Sequence, residues 1–337
     1  MSAYQTLQED LRKHPQHWLV TGGAGFIGSH VVEALLRVGQ RVTVMDDLSA
    51  GTKANLLAAR AAASEGATHR MAHFVEGDIT DEATCHHVMQ GMDRVVHLAA
   101  MGSVPISMEK PDQCHDTNAT GTLNVLLAAR KAGVKQLVYA SSSAVYGDDP
   151  ADTKREETLG RPLSPYAASK LINEIEAQAF FTAYGLRTVG LRFFNVFGPR
   201  QDPKGAYAAV IPQWIAAMKE GRNVFINGDG ENTRDFCFVR DVAQALLLAA
   251  TTGNEAALGN AFNVGLGQAT SLNQLFSSLQ TLVQAEAGKE VPAPVFRDFR
   301  PGDIRHSCAD VSKVRQVLGF EPEYSVMDGL RETVAGY

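Results

Sequence analysis

From His17 onward, short apolar runs alternate with longer stretches whose apolar residues recur every three or four positions. His17 to Thr21, Arg41 to Met45, Val95 to Leu98, Leu137 to Ala140 and Leu186 to Leu191 are such short runs, and Phe74-Val75 begins another before Gly77-Asp78. Runs of this kind predict strands covered on both faces. Between them lie helical segments: Phe26 to Val38 closed by Gly39, alanine-rich Leu56 to Ala63, Asn118 to Ala132, and Tyr166 to Tyr184. Strands separated by helices of this length predict an α/β chain with a doubly wound parallel sheet. Pro-, Gly- and Asn-rich stretches at Pro199 to Lys204 and Asn227 to Asn232 predict shaped loops. Asp241 to Ala250 and Phe262 to Val264 predict one more helix and strand returning to the sheet. The expected organisation is therefore one domain from residues 1–194, rejoined by 240–270. A smaller interleaved α/β domain is built from 195–239 and 271–337. Met1 to Gln16, polar and charged, is expected to be a short surface arm.

Composition narrows the class. With 45% hydrophobic and 20% charged residues, the 337-residue chain has ordinary globular composition. A net charge of -6 speaks against a general nucleic-acid binder, which needs excess cations to displace counterions. Cys85, Cys114, Cys237 and Cys308 are scattered, as expected of free thiols in a reducing compartment. The first residues carry no apolar signal core, and no apolar run is long enough to span a bilayer. A cytoplasmic protein without membrane partners is expected. His69 and His73 have helical metal-ligand spacing but lack a third ligand, and the rings of adjacent His86-His87 diverge onto a solvated helix face. No metal site is expected.

Chemistry enters at Thr21-Gly22-Gly23-Ala24-Gly25-Phe26-Ile27-Gly28, a glycine-rich turn between the first strand and helix. Gly22 allows the tight turn, Gly25 lets backbone approach a pyrophosphate, and Gly28 lets the helix pack closely. The helix N-terminus then offers free N–H groups and positive dipole character to phosphates, which predicts a bound dinucleotide in a Rossmann-like sheet. Phe26 and Ile27 lie in that first turn. About twenty residues on, Asp46 is placed to bind the adenosine ribose and to repel a 2′-phosphate, favouring NAD, while Asp47 caps the next turn. Asp78-Ile79 is an expected adenine contact, and Leu98-Ala99-Ala100 supplies small residues where backbone lies against the cofactor. Tyr166 and Lys170, four apart, share a helix face, so an ammonium and a positive nicotinamide could favour the phenolate of a tyrosine whose ordinary pKa is about 10. Ser141-Ser142-Ser143, after the fifth strand, would meet that tyrosine over the sheet's carboxyl edge.

Together these residues resemble the extended short-chain dehydrogenase/reductases from Trp18 to about Leu330. More narrowly the chain resembles bacterial UDP-N-acetylglucosamine 4-epimerases. The resemblance is carried by Gly102-Ser103-Val104-Pro105, Leu163-Ser-Pro-Tyr166, Leu191-Arg-Phe-Phe-Asn195-Val-Phe-Gly198, Arg200 to Pro212, Asn227 to Phe236 and Arg297 to Asp303. It implies that Tyr166 takes the proton from sugar O4, with Lys170, Ser142 and the supporting Ser143 beside it, and that Phe193 borders the NAD site. Ser142 is assigned the serine role because it lies four before Tyr146. It implies a nucleotide-sugar site of Ser103, Ser142, Ser143, Asn195, Ala209, Val210, Phe225, Asn227, Arg234, Arg300 and Ser307. Arg234 and Arg300 would clamp the pyrophosphate, and Ala209, Val210 and Phe225 to Asn227 would surround uracil. Dehydratase relatives follow the serine-equivalent residue with Asp-Glu, where this chain has Ser143-Ala144. Ser307, seven after Arg300, stands where a bulky residue would exclude an N-acetyl group. The resemblance further implies a homodimer through a four-helix bundle of the two predicted helices 118–132 and 166–184. Epimerisation of UDP-N-acetylglucosaminuronate, UDP-glucuronate or UDP-glucose stays open beside it, as does a non-catalytic regulator binding NAD and a nucleotide sugar.

Overall fold

A computed structural model describes residues 1–63, 72–204, 208–288, 290–299 and 304–337. Its centre is a seven-stranded sheet ordered, edge to edge, His73–Glu76, Arg41–Asp46, His17–Thr21, Arg94–His97, Gln136–Ser142, Thr188–Phe193 and Asn260–Val264. All pairs are parallel. The interior strands are almost wholly buried, which is why their sequences are apolar rather than alternating. The chain order reverses between His17–Thr21 and Arg94–His97, so a crevice opens beyond their carboxyl ends.

Every expected strand and helix of this sheet is found, with boundaries shifted by a few residues. One departure is Met1 to Gln16, which is no loose arm. Ala3–Lys13 is a helix, started by a capping box between Ser2 and Gln5. Tyr4, Leu7 and Leu11 recur at helical spacing, and buried Leu11 joins the main core. The second departure precedes Ala132: Pro111–His115 and a π-helical turn at Asp116–Thr120 run into Gly121–Ala132, extending the expected helix backward.

A separate apolar core gathers Phe197, Ile211, Trp214, Ile226, Phe236, Phe238, Leu275, Leu279 and Leu330, from chain segments on either side of the helix Val239–Thr251 and strand Asn260–Val264. Its strands include Asn195–Phe197, Thr233–Phe238, Ala269–Ser271 and His306–Ala309. Thr153–Lys154, from the first half of the chain, pairs in parallel with His306–Ala309. Phe26 and Ile27 of the fingerprint helix pack against this second core. The fingerprint helix therefore touches both halves.

Candidate active site

The glycine turn leaves the first strand where Gly22 N donates to Met45 O at 2.8 Å. Gly22 has φ 69°, and a Cβ there would sit 2.6 Å from Ala99 N. A Cβ at Gly28 would meet Gly22 O at 2.1 Å. Both sites admit glycine only. A Cβ on Gly25 would meet little but Gly22 O, at 3.2 Å, so the turn is open on that side. No side chain caps the helix Phe26–Arg37, which leaves its first N–H groups free for an anion. The turn thus fits a dinucleotide pyrophosphate. Asp46, 6% exposed, accepts from Ala24 N and Leu48 N, both at 2.9 Å. It braces the glycine turn. Asp47 accepts from Ser49 N at 3.0 Å, the expected turn cap. Exposed Asp78 accepts from Thr80 N, whereas Ile79 buries its side chain against Gly121. Leu98, Ala99 and Ala100 follow the fourth strand half-buried, and Phe193 is in the main core at the end of its strand.

Tyr166 and Lys170 open the helix Pro165–Tyr184, capped by Ser164. The Ser142 hydroxyl lies near the Tyr166 phenol and acts to lower its pKa. Ser142 also accepts from Ala144 N at 3.1 Å, while Ser143 stays half-buried beside it. Ser141 turns away and donates to Glu174 at 2.5 Å. Burial raises the Tyr166 pKa, and the Ser142 hydroxyl only partly offsets this. Lys170 donates to Ala140 O at 3.0 Å and lies 6.0 Å from the Tyr166 ring centroid. Its own pKa is pulled down to about 8 by burial. Among the protein groups burial is the largest influence on this phenol and favours its protonated form, so the expected phenolate depends on the positive nicotinamide as well as on Lys170.

Two buried networks fix this geometry. Arg192 grips Glu174 with two bonds, Nε at 2.9 Å and Nη2 at 2.8 Å, and donates to Tyr146 Oη at 3.0 Å. Glu174 is two turns beyond Tyr166 on the same helix, so the pair locks that helix to the strand Thr188–Phe193. Ser107 Oγ accepts from Tyr166 N at 3.1 Å, and Asn118 Nδ2 donates to Ser169 Oγ at 3.0 Å. Both residues are fully buried and neither was marked by sequence. Asn118 carried a faint signal, an amide on the inner face of a predicted helix. Ser107 carried none.

A cavity of about 650 Å³ is lined by Asn195, Ala209, Val210, Phe225, Asn227 and Arg234, whereas the expected Ser103, Ser142 and Ser143 are not in its lining. Six of the expected nucleotide-sugar residues are thus brought together from separate chain segments. Pro105, Gln201 and Trp214 also line it and were not singled out as site residues. Pro105 belongs to the short helix Val104–Glu109, capped by Ser103, which also contains Ser107. One element therefore touches both the cavity and Tyr166. Among the described residues no side chain caps Val210–Lys219, whose first turn faces the cavity with free N–H groups. Arg297 stacks on Phe225, its guanidinium carbon 3.3 Å from the ring centroid. Ser307 is not in the lining but pairs in register with Arg234 on the adjacent strand. Arg300 and His69 lie outside the described residues. Among the described residues, no three His, Cys, Asp or Glu are grouped to hold a metal.

A parallel sheet with a phosphate-binding turn, and a tyrosine, serine and lysine at its carboxyl edge, define a dinucleotide-dependent enzyme acting on an alcohol. Residues 18–265 match the model of the NAD dependent epimerase/dehydratase family, and the chain belongs to that family. It is 38% identical over 318 residues to a UDP-glucose 4-epimerase of Mycolicibacterium smegmatis, covering 94% of this chain and 96% of that one. The structure is similar to that of a UDP-N-acetylglucosamine 4-epimerase from Methanobrevibacter ruminantium in complex with UDP-N-acetylmuramic acid. There the TM-score is 0.86 and identity 37%, over 96% of this chain and 98% of that one. It is also similar to a Thermus thermophilus UDP-glucose 4-epimerase in complex with NAD, at TM-score 0.80 and 35% identity, over 95% and 98%.

Proposed function

We propose that this enzyme interconverts UDP-N-acetylglucosamine and UDP-N-acetylgalactosamine through a 4-keto sugar. Family membership, and the gathering of six expected nucleotide-sugar residues around one cavity, support a nucleotide-sugar 4-epimerase. The observation that carries the N-acetyl preference is Ser307, a small side chain paired in register with Arg234 of the cavity wall. Ser143-Ala144 in place of an acidic pair favours epimerisation over loss of water.

With a positive nicotinamide and Lys170 together favouring its phenolate, Tyr166 would take the O4 proton and later return it, with Ser142 bonding the same oxygen. The glycine turn and Asp46 would hold NAD, which would supply the hydride acceptor and donor that a 4-keto route needs. Arg234, with Arg300, binds the pyrophosphate, and Phe225 and Asn227 border the base. A second reading, UDP-glucose 4-epimerisation, is favoured by the Mycolicibacterium smegmatis relative. We also propose a homodimer through the helices 121–132 and 165–184, supported by Ile175, 59% exposed on the second of these. All four cysteines are free, which supports a cytoplasmic setting.

Proton NMR of the purified protein with UDP-N-acetylglucosamine, without added cofactor, tests the reaction. UDP-N-acetylgalactosamine should accumulate on retained NAD. Turnover of UDP-glucose alone would transfer the assignment to the second reading, and no turnover of any UDP-sugar with NAD added would overturn both.

A further inference from the structure

We infer that Arg200 is a positioning residue for the nucleotide-sugar cavity, held in place by Glu33 on the same helix whose first turn receives the cofactor. The inference rests on the UDP-sugar reading of that cavity. Asn195, Val196 and Phe197 line the cavity before Arg200, and Gln201 lines it immediately after. Arg200 itself points the other way. Its Nη2 donates to the Glu33 carboxylate and its Nη1 to Ser29 Oγ at 3.3 Å. The two charged side chains are only 14% and 6% exposed.

The backbone shows that this contact is imposed. Arg200 has φ 68°, a left-handed conformation shared among the described non-glycine residues only with Leu48. A long side chain keeps such a backbone only where its surroundings fix it. His30, one residue beyond Ser29, supplies a second hold, its Nε2 donating to Pro199 O at 3.0 Å. Burial, then the Arg200 charge, pulls His30 down to about 4, so it is neutral near pH 7 and bonds the carbonyl as a plain N–H donor. The second oxygen acceptor position of Glu33 is taken by Arg37, at 3.2 and 3.0 Å. Burial works against the Glu33 carboxylate, yet its bonds to Arg200 leave its pKa below the ordinary value.

Ser29, His30 and Glu33 thus hold residues 199 and 200 with one face of the fingerprint helix. On the far side, Gln201 O accepts from the Tyr337 hydroxyl, and Gln201 Nε2 donates to Val196 O at 3.3 Å. Released from Glu33, Arg200 has no reason to keep its left-handed backbone, and Gln201 would lose its station at the cavity wall. The helix would still present Gly25 and its free N–H groups to the cofactor.

The test compares wild type with Arg200→Gln, Arg200→Lys, and the double variant Glu33→Gln/Arg200→Gln, in which two neutral amides face each other. Each is assayed for bound NAD, for UDP affinity by calorimetry, and for kcat and KM with UDP-N-acetylglucosamine. Arg200→Gln should keep wild-type NAD content, bind UDP about tenfold more weakly and raise KM similarly, with kcat within about threefold. Arg200→Lys should recover part of the affinity, and the double variant should be no worse than Arg200→Gln. If Arg200→Gln does not fold, the double variant carries the same expectation. A folded, NAD-replete variant binding UDP within twofold of wild type would overturn the inference. Wild type that fails to bind UDP would instead remove the UDP-sugar reading, and the inference with it.

Discussion

Tyr166 sits where the chemistry needs a base, yet the protein around it favours the protonated phenol. In the mechanism proposed above the side chain contributes proton transfer at a fixed point, which a phenylalanine cannot do. Tyr166→Phe should keep its NAD and lose about 10²- to 10⁴-fold in kcat, read by single-turnover assay. Wild-type turnover in that variant would make the assignment untenable. His97 offers a test of a different kind. It is buried between Thr21 Oγ1 at 2.7 Å and Thr122 Oγ1 at 3.0 Å, and burial, with Lys170 nearby, pulls its pKa to about 3. The unfolded chain binds a proton there below about pH 6.5, and the folded chain does not until about pH 3. Stability is therefore lost as pH falls through that window, by up to about 1.4 kcal/mol per pH unit. Urea midpoints from pH 7 to pH 4.5 should fall more steeply for wild type than for His97→Gln, and parallel curves would refute the sign. At this scale the tight turn at Gly22 and Gly28 and the shared helix of Tyr166 and Lys170 were legible, because turn geometry and helical spacing leave a mark in sequence. Ser107 was not, since a serine whose hydroxyl bonds only backbone groups looks like any other.

Among the elements, the helix Ala3–Lys13 shows why a polar segment can mislead. It buries one narrow stripe, Tyr4, Leu7 and Leu11, and leaves the rest to solvent, so its mean character is that of a surface arm. Leu11→Ala should cost about 2–5 kcal/mol in urea unfolding while leaving kcat unchanged, because the helix is remote from Tyr166 in the sheet. The Arg192–Glu174 pair acts between elements rather than at one residue. Breaking it with Glu174→Ala strands a buried guanidinium, at a cost of about 3–5 kcal/mol. It should also lower kcat, since Ser142 ends the strand paired with that of Arg192 and Tyr166 opens the helix of Glu174. A loss of stability with full kcat would show that the alignment has other support. The strands were readable because doubly covered strands are apolar without alternation. The π-helical turn at Asp116–Thr120 was not, because its bonding pattern leaves no apolar period.

For the whole molecule, the exposed Ile175 gives the proposed dimer a direct test. Light scattering should return twice the chain mass for wild type, and Ile175→Glu should shift it toward the monomer with an intact circular dichroism spectrum. A wild-type monomer would overturn the proposal. The parallel sheet and its returning strand were legible from the alternation of elements. How the cavity draws together residues 195 to 234 was legible only through resemblance, because no local pattern reports a contact between distant segments. The interleaving itself has a consequence for synthesis. The second core needs Phe197 to Phe238 on one side and Leu275 to Val334 on the other. A ribosome adding about 5–20 residues per second leaves the first set without its partners for roughly ten seconds while the remainder is made. During that wait Ile211, Trp214 and Phe236 have only a part-built core to cover them, so a nascent chain halted after Val264 should be the form most eager for a chaperone.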